Sequence, residues 1–320
     1  MPSAATSAVL RGTCGLRRFG VAPLIAASMM SGSAAVCGSV VAITAVWLRT
    51  WAHVEANGKN ASMPGTVRYE QDDHIVTITY TRSERMNAIN GEMRQDINAA
   101  WARFLGDERA WVAILTGEGR AFCAGADLRD GVGSAGSFPG TFWEKPTINS
   151  FESGLELFKP TIAAVNGPCI GYGVTAVSFC DFVIASEEAT FAFPEVRIGV
   201  PTIVGAIRMP QRLRWEDAME LLLLGEPVDV WRAKEMGLVG RVVPSADLMD
   251  TARDLATRLC RSAPLAVRTT KEVAVRSREL PWVDAVRFGE TMRIVAQATE
   301  DAKEGRAASR EKRDPRWEGR

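Results

Sequence analysis

The stretch from Thr161 to Glu195 restricts the possible folds of this chain more than any other. Thr161-Ile162-Ala163-Ala164-Val165 is an unbroken apolar run of strand length. A glycine-punctuated turn follows, Asn166-Gly167-Pro168-Cys169-Ile170-Gly171-Tyr172-Gly173, and a helix of small residues is expected from Gly173. A strand feeding a helix through such a turn aims backbone N–H groups, with the positive end of the helix behind them, at an oxygen lying across the turn. Farther on, Phe191-Ala192-Phe193-Pro194-Glu195 places a carboxylate after a stiffening proline. An anion-stabilising turn beside a positioned carboxylate suits chemistry next to a carbonyl, where an enolate must be held and a proton moved.

A second stretch, Gly119-Arg120-Ala121-Phe122-Cys123-Ala124-Gly125-Ala126-Asp127-Leu128, has the same small-residue character. Around the two, strand and helix signals alternate, which predicts an α/β fold. In His74–Tyr80, Val76, Ile78 and Tyr80 fall on one face of a half-buried strand. Asn90 is placed to cap a helix carrying Met93, Ile97, Trp101 and Phe104 at helical spacing. Trp111–Thr116 is apolar nearly throughout, the pattern of a strand covered on both faces. Phe182-Val183-Ile184-Ala185 supplies a further strand. Residues 129–150 carry glycine, proline and aromatics without a period and read as a loop near the pocket. Beyond about Pro210 the pattern turns helical, with Leu248, Ala252, Leu255 and Leu259 on one face and Ala285, Phe288, Met292 and Val295 on another.

Composition narrows the function classes. Lys plus Arg and Asp plus Glu both total 38, so no basic field favours nucleic acid. With only His53 and His74, a histidine metal site or a His-centred triad is nearly excluded, and no metal is expected. None of the six cysteines has Cys-x-x-Cys spacing, which reads as reduced packing residues. Residues 1–62 differ from the rest: no acidic residue precedes Glu55, and residues 19–48 are uncharged. A membrane anchor, a signal peptide, an Arg- and Ser-rich transit peptide, or a start upstream of a working start near Met63 are the open readings. The division expected is a 1–62 extension, a 63–210 α/β core and a 211–320 helical region. A cytoplasmic location follows if the extension is absent, and a mitochondrial or membrane-anchored one if it is a transit peptide or anchor.

Three runs taken together, Ala-Phe-Cys-Ala-Gly-Ala-Asp-Leu, Asn-Gly-x-x-x-Gly-x-Gly and Phe-x-x-Pro-Glu-x-x-x-Gly, resemble in order and spacing those of the enoyl-CoA hydratase/isomerase, or crotonase, family. The resemblance extends from about Met63 through Pro210-Gln211-Arg212-Leu213, Gly237-Leu238-Val239 and Glu311-Lys312-Arg313. It implies a spiral of ββα repeats followed by a C-terminal helical region that assembles trimers, often paired into hexamers. It also implies an acyl-CoA thioester substrate and no cofactor beyond the coenzyme A that the substrate carries. By the same resemblance the backbone N–H groups of Ala126 and Tyr172 form the oxyanion hole, with Glu195 as acid/base. Substrate contacts fall on Arg85, Asn87, Ala88, Ala124, Gly125, Asp127, Gly171 and Thr175, and Lys312 reaches for the phosphates. Asp127 is expected to be structural as well, capping the turn that follows it.

Two departures from the family pattern matter. Tyr172 stands between Gly171 and Gly173 where the family usually has glycine; its N–H survives the change, and its ring is expected to line or narrow the acyl pocket. Thr175 stands where family hydratases carry a second glutamate. Two carboxylates divide the work of activating water and exchanging the α-proton, whereas one carboxylate shuttles a proton between carbons. Glu195 alone therefore favours double-bond isomerisation, or weak hydration. Asp130 and Glu144 are the loop carboxylates able to replace the missing group, although solvated loop charges are the commoner case. Ser309, three residues before Lys312, replaces a usual aromatic. The ending Glu311–Arg320 is similar to that of carnitinyl-CoA dehydratases. The competing reading is a non-catalytic acyl-CoA binding protein that lost the carboxylate pair.

Overall fold

The computed structural model describes residues 65–130 and 155–320, which belong to one compact unit. The extension 1–62, its uncharged 19–48 run, and Glu144 with most of the 129–150 loop lie outside the described residues. No helix among the described residues is long and apolar enough to cross a membrane.

β1 (Val67–Asp72) and β2 (Ile75–Tyr80) form a hairpin, turned at Asp73 and His74 with Asp73 at φ 50°. β3 (Val112–Gly117) and β4 (Thr161–Val165) continue the sheet in parallel, as do β6 (Phe182–Ser186) and β9 (Arg241–Val243), in the order β1-β2-β3-β4-β6-β9. A second small sheet joins β5 (Cys169–Ile170), β7 (Thr190–Ala192) and β8 (Val228–Asp229). Parallel bridges Ile89↔Ala126 and Cys123↔Cys169 extend this second layer. β2, β3, β4 and β6 each hand the chain to a short strand or bridge of the second layer, and a helix returns it where one follows. That is the expected ββα spiral.

Period-two alternation divides the central strands between two cores. Ala113, Leu115, Ala163 and Val165 face one side, where Met93, Ile97, Trp101 and Phe104 of α1 (Gly91–Gly106) pack. Ile114, Ile162, Ala164 and Ile184 face the other, against Leu248, Ala252 and Ala256. β3 and β4 are buried at every position because both faces are covered. Asn90 caps α1 as the sequence suggests, its Oδ1 accepting from Met93 N–H at 2.9 Å. At the other end of α1 the buried Lys159 Nζ donates to Phe104 O and Asp107 O, both at 2.6 Å, satisfying carbonyls that the helix leaves open.

The region after 210 is not purely helical. It holds α3 (Val204–Arg212) only at its edge, then α4 (Trp215–Met219), β8, α5 (Val230–Glu235), β9, α6 (Leu248–Cys260), α7 (Pro264–Arg276), α8 (Trp282–Gln297) and α9 (Glu300–Glu311). β9 is the edge strand of the main sheet, and α6 supplies its second cover. The predicted α8 face holds for Ala285, while Val295 is 61% exposed and Trp282 82% exposed. The remaining helix, α2, spans Tyr172–Phe179 and begins one residue before the Gly173 expected from sequence.

Candidate functional site

The carboxyl ends of the parallel strands converge on one edge, where open α/β sheets place their ligands. Segments 81–90, 118–127 and 166–171 leave β2, β3 and β4 there. Gly125 O accepts from Ile89 N–H at 2.8 Å, and Asp127 N–H donates to Ile89 O at 2.9 Å. Because a peptide unit is planar and trans, pinning Gly125 C=O toward Ile89 turns the Ala126 N–H the opposite way. No acceptor for that N–H is found among the described residues.

The second donor is set by the same logic. Gly171 O accepts from Thr175 N–H at 3.0 Å inside α2, so the Tyr172 N–H points out of the helix's amino end. Gly171 adopts φ 52°, ψ −109°, a backbone region open to glycine. A Cβ added there would also lie 2.5 Å from Glu195 Oε1. A Cβ added to Gly125 would lie 3.3 Å from Ile170 O and 4.0 Å from Gly171 Cα. Gly125, Gly171 and the Glu195 carboxylate therefore sit side by side.

Glu195 is carried on a one-turn 3-10 helix, Pro194–Ile198, closed by Gly199 in the left-handed conformation and by Val200 N–H donating to Glu195 O at 3.0 Å. Its Oε2 is buried and has no hydrogen-bond partner among the described residues. A buried carboxylate oxygen without a donor is costly unless a ligand or water completes it. Asp127, by contrast, is engaged: its Oδ2 accepts from the Arg82 guanidinium at 2.8 Å and its Oδ1 from Arg129 N–H at 3.2 Å. The Arg82 hydrogen bond holds this carboxyl below its usual range. Asp127 thus caps the one-turn helix Leu128–Asp130, and its capping role is in place.

Other expected residues are distributed unevenly. Asn87 is fully buried in the left-handed region, φ 57°, its amide donating to Glu118 O at 3.0 Å and Ala121 O at 2.8 Å. It clamps the 82–90 segment to the 118–127 segment. Ala88 and Ala124 are partly buried beside it, with Ala124 N–H donating to Met86 O at 3.0 Å, and Arg85 is exposed at the end of the turn Ser83–Arg85. The Tyr172 ring packs partly buried against the core, with the Arg94 guanidinium 5.2 Å from its centroid. Thr175 is 6% exposed on α2, one turn past Tyr172. Lys312 is exposed at the end of α9. The tail after it packs Trp317 and Gly319 against Trp111, at the amino end of β3 and away from this edge. Arg82 and Arg94 carry no sequence signal of their own; their importance comes from contacts across dozens of residues.

The sequence model of the enoyl-CoA hydratase/isomerase family matches residues 70–320. The chain belongs to that family. It is 33% identical over 261 residues to the (E)-benzylidenesuccinyl-CoA hydratase of Thauera aromatica, covering 80% of this chain and all of the relative. It is 35% identical over 242 residues to the carnitinyl-CoA dehydratase of Proteus mirabilis, covering 74% of this chain and 92% of that one. Among solved structures, an enoyl-CoA hydratase/isomerase from Mycobacterium paratuberculosis superposes with a TM-score of 0.71 at 36% identity, covering 80% of this chain and 99% of that one. The fold is accordingly the crotonase fold, and the chain is an enzyme of the hydratase/isomerase type.

Proposed function

We propose that this enzyme binds an acyl-CoA thioester, holds its carbonyl oxygen between the N–H groups of Ala126 and Tyr172, and moves an α-proton with Glu195. The observation that carries the reading is the Glu195 carboxylate lying against Gly171 with a buried oxygen that has no hydrogen-bond partner among the described residues, beside two N–H groups aimed out of their turns. A pair of such donors lowers the cost of forming an enolate; removing one typically costs about 3 kcal/mol. The thioester carbonyl becomes an enolate as the α-proton passes to Glu195, and the same carboxyl returns that proton to the γ-carbon of the allylic enolate. The net change is migration of the double bond.

Water addition needs a second group to orient the water, and Thr175 offers a hydroxyl in place of a carboxylate. Glu195 alone therefore supports isomerisation, or weak hydration. Coenzyme A is part of the substrate, and no other cofactor takes part in this scheme. Exposed Arg85 and the Ala88 and Ala124 backbone, on segments that border the same edge, are the groups suited to the coenzyme moiety. The exposed apolar residues Trp282, Val283, Val286, Ile294 and Val295 of α8 support assembly of several copies, as a trimer or hexamer.

The test is a screen of 2-enoyl, 3-enoyl and 3-hydroxyacyl thioesters with the unmodified chain and Glu195→Gln, run beside calorimetric binding. Turnover of the accepted substrate should fall by about 10²-fold or more in Glu195→Gln, general acid–base catalysis being worth 10²–10⁴. Tight binding of thioesters with no product from any of them would replace this reading with that of a binding protein.

A further inference from the structure

The two walls of the oxyanion site come from segments far apart in sequence, and one buried side chain touches both. Cys123 Sγ accepts from Gly125 N–H at 3.4 Å, and the Cys123 Cβ packs directly against Gly173. Gly125 and Gly173 immediately flank the two N–H donors, Ala126 and Tyr172. The backbone of the same residue ties the walls again. Cys123 N–H donates to Pro168 O at 3.1 Å and Cys123 O accepts from Ile170 N–H at 2.8 Å, the pair of bonds of a parallel β-bridge to Cys169. The packing leaves no slack, since a Cβ on Gly173 would lie 2.9 Å from Cys123 Cβ. Burial pushes this thiol up to about 12, so it stays a neutral acceptor in the working pH range rather than a nucleophile.

We propose that Cys123 is a positioning residue that fixes the spacing and tilt of the Ala126 and Tyr172 N–H donors, its sulfur accepting from Gly125 N–H beside one and its Cβ packed against Gly173 beside the other. The role rests on the oxyanion reading above. Sulfur is a weak acceptor, so the effect expected is moderate. Two donors must point at one oxygen, however, and small errors in their placement are felt in the rate.

Three substitutions separate acceptor from filler. Cys123→Ser keeps an acceptor, Cys123→Val keeps bulk without one, and Cys123→Ala keeps neither. With the best substrate of the screen, kcat should fall about three- to tenfold in Ala and Val, with KM within about twofold, and Ser should stay within about twofold of the unmodified chain. Amide hydrogen exchange at Gly125 should accelerate in Ala and Val and not in Ser, a readout independent of turnover. Unmodified turnover in Ala and Val would overturn the proposal, as would Val outperforming Ser or unchanged exchange at Gly125 in Ala and Val. Glu195→Gln assayed in parallel tells the two failures apart. Loss of turnover there with no effect at Cys123 sinks only the positioning role, whereas full turnover in Glu195→Gln sinks the site reading itself.

Discussion

Replacing Gly171 with alanine tests the site at its tightest point. The new Cβ would stand 2.5 Å from Glu195 Oε1, where an ordinary carbon–oxygen contact needs about 3.4 Å. The carboxylate must retreat by about 0.9 Å, and a misplacement of about 1 Å typically costs about 10²-fold in rate. The backbone at φ 52°, ψ −109° adds strain on the order of 1–3 kcal/mol for any side chain. Gly171→Ala should therefore lose both stability and turnover, with kcat down 10- to 100-fold on the best thioester. Gly237→Ala is the matched control, because Gly237 has φ 87° and nothing within 4 Å of its would-be Cβ. It should lower the melting temperature by a few degrees and leave kcat alone. Thermal unfolding and steady-state rates on both variants decide the matter. A folded Gly171→Ala enzyme with unmodified kcat would refute the placement of Glu195 against the turn.

Two further outcomes follow from named contacts. Thr175→Glu should bring measurable hydration of a short 2-enoyl-CoA and reduce isomerisation, because the amino end of α2 tolerates a carboxylate and the new pair divides the two proton tasks; efficient hydration by the unmodified chain would contradict the single-carboxylate argument. Lys159→Met should cost about 1–3 kcal/mol in urea unfolding, since two carbonyls at the end of α1 lose a charged donor. Burial pushes Lys159 down to about 8 from 10.5, so between those pH values the unfolded chain holds more protons at this site. Stability should rise across that window through this group, and the rise should be smaller in Lys159→Met.

The elements that position the site were legible where burial imposes a period. β3 read as a doubly covered strand and β4 as a buried one, and the α1 cap at Asn90 followed from its spacing to Met93. What stayed hidden depends on contacts between distant residues. Arg82 and Asp127 lie 45 positions apart, and the polar stretch around Arg82 reads only as loop. Asn87 sits in a motif that suggests substrate contact, yet its amide is used to join two segments of the fold. The Tyr172 ring packs partly buried against the core under Arg94, and no local pattern specifies which way a ring at a helix start turns. Lys312 belongs to a tail that runs to the amino ends of the strands, because Trp317 finds its apolar partner at Trp111 there. Strand β9 was missed because its three residues are too few to show a period.

The central claim is that an enolate forms beside the Ala126 and Tyr172 N–H groups with Glu195 as the proton carrier. Exchange of the α-protons of a saturated acyl-CoA, such as butyryl-CoA, in deuterated water tests it without requiring any double bond to move. Proton magnetic resonance should show one of the two α-protons exchanging stereospecifically in the presence of the enzyme, with the rate down about 10²-fold or more in Glu195→Gln. Exchange that persists unchanged in Glu195→Gln, or no exchange from an enzyme that binds the thioester, would contradict the claim.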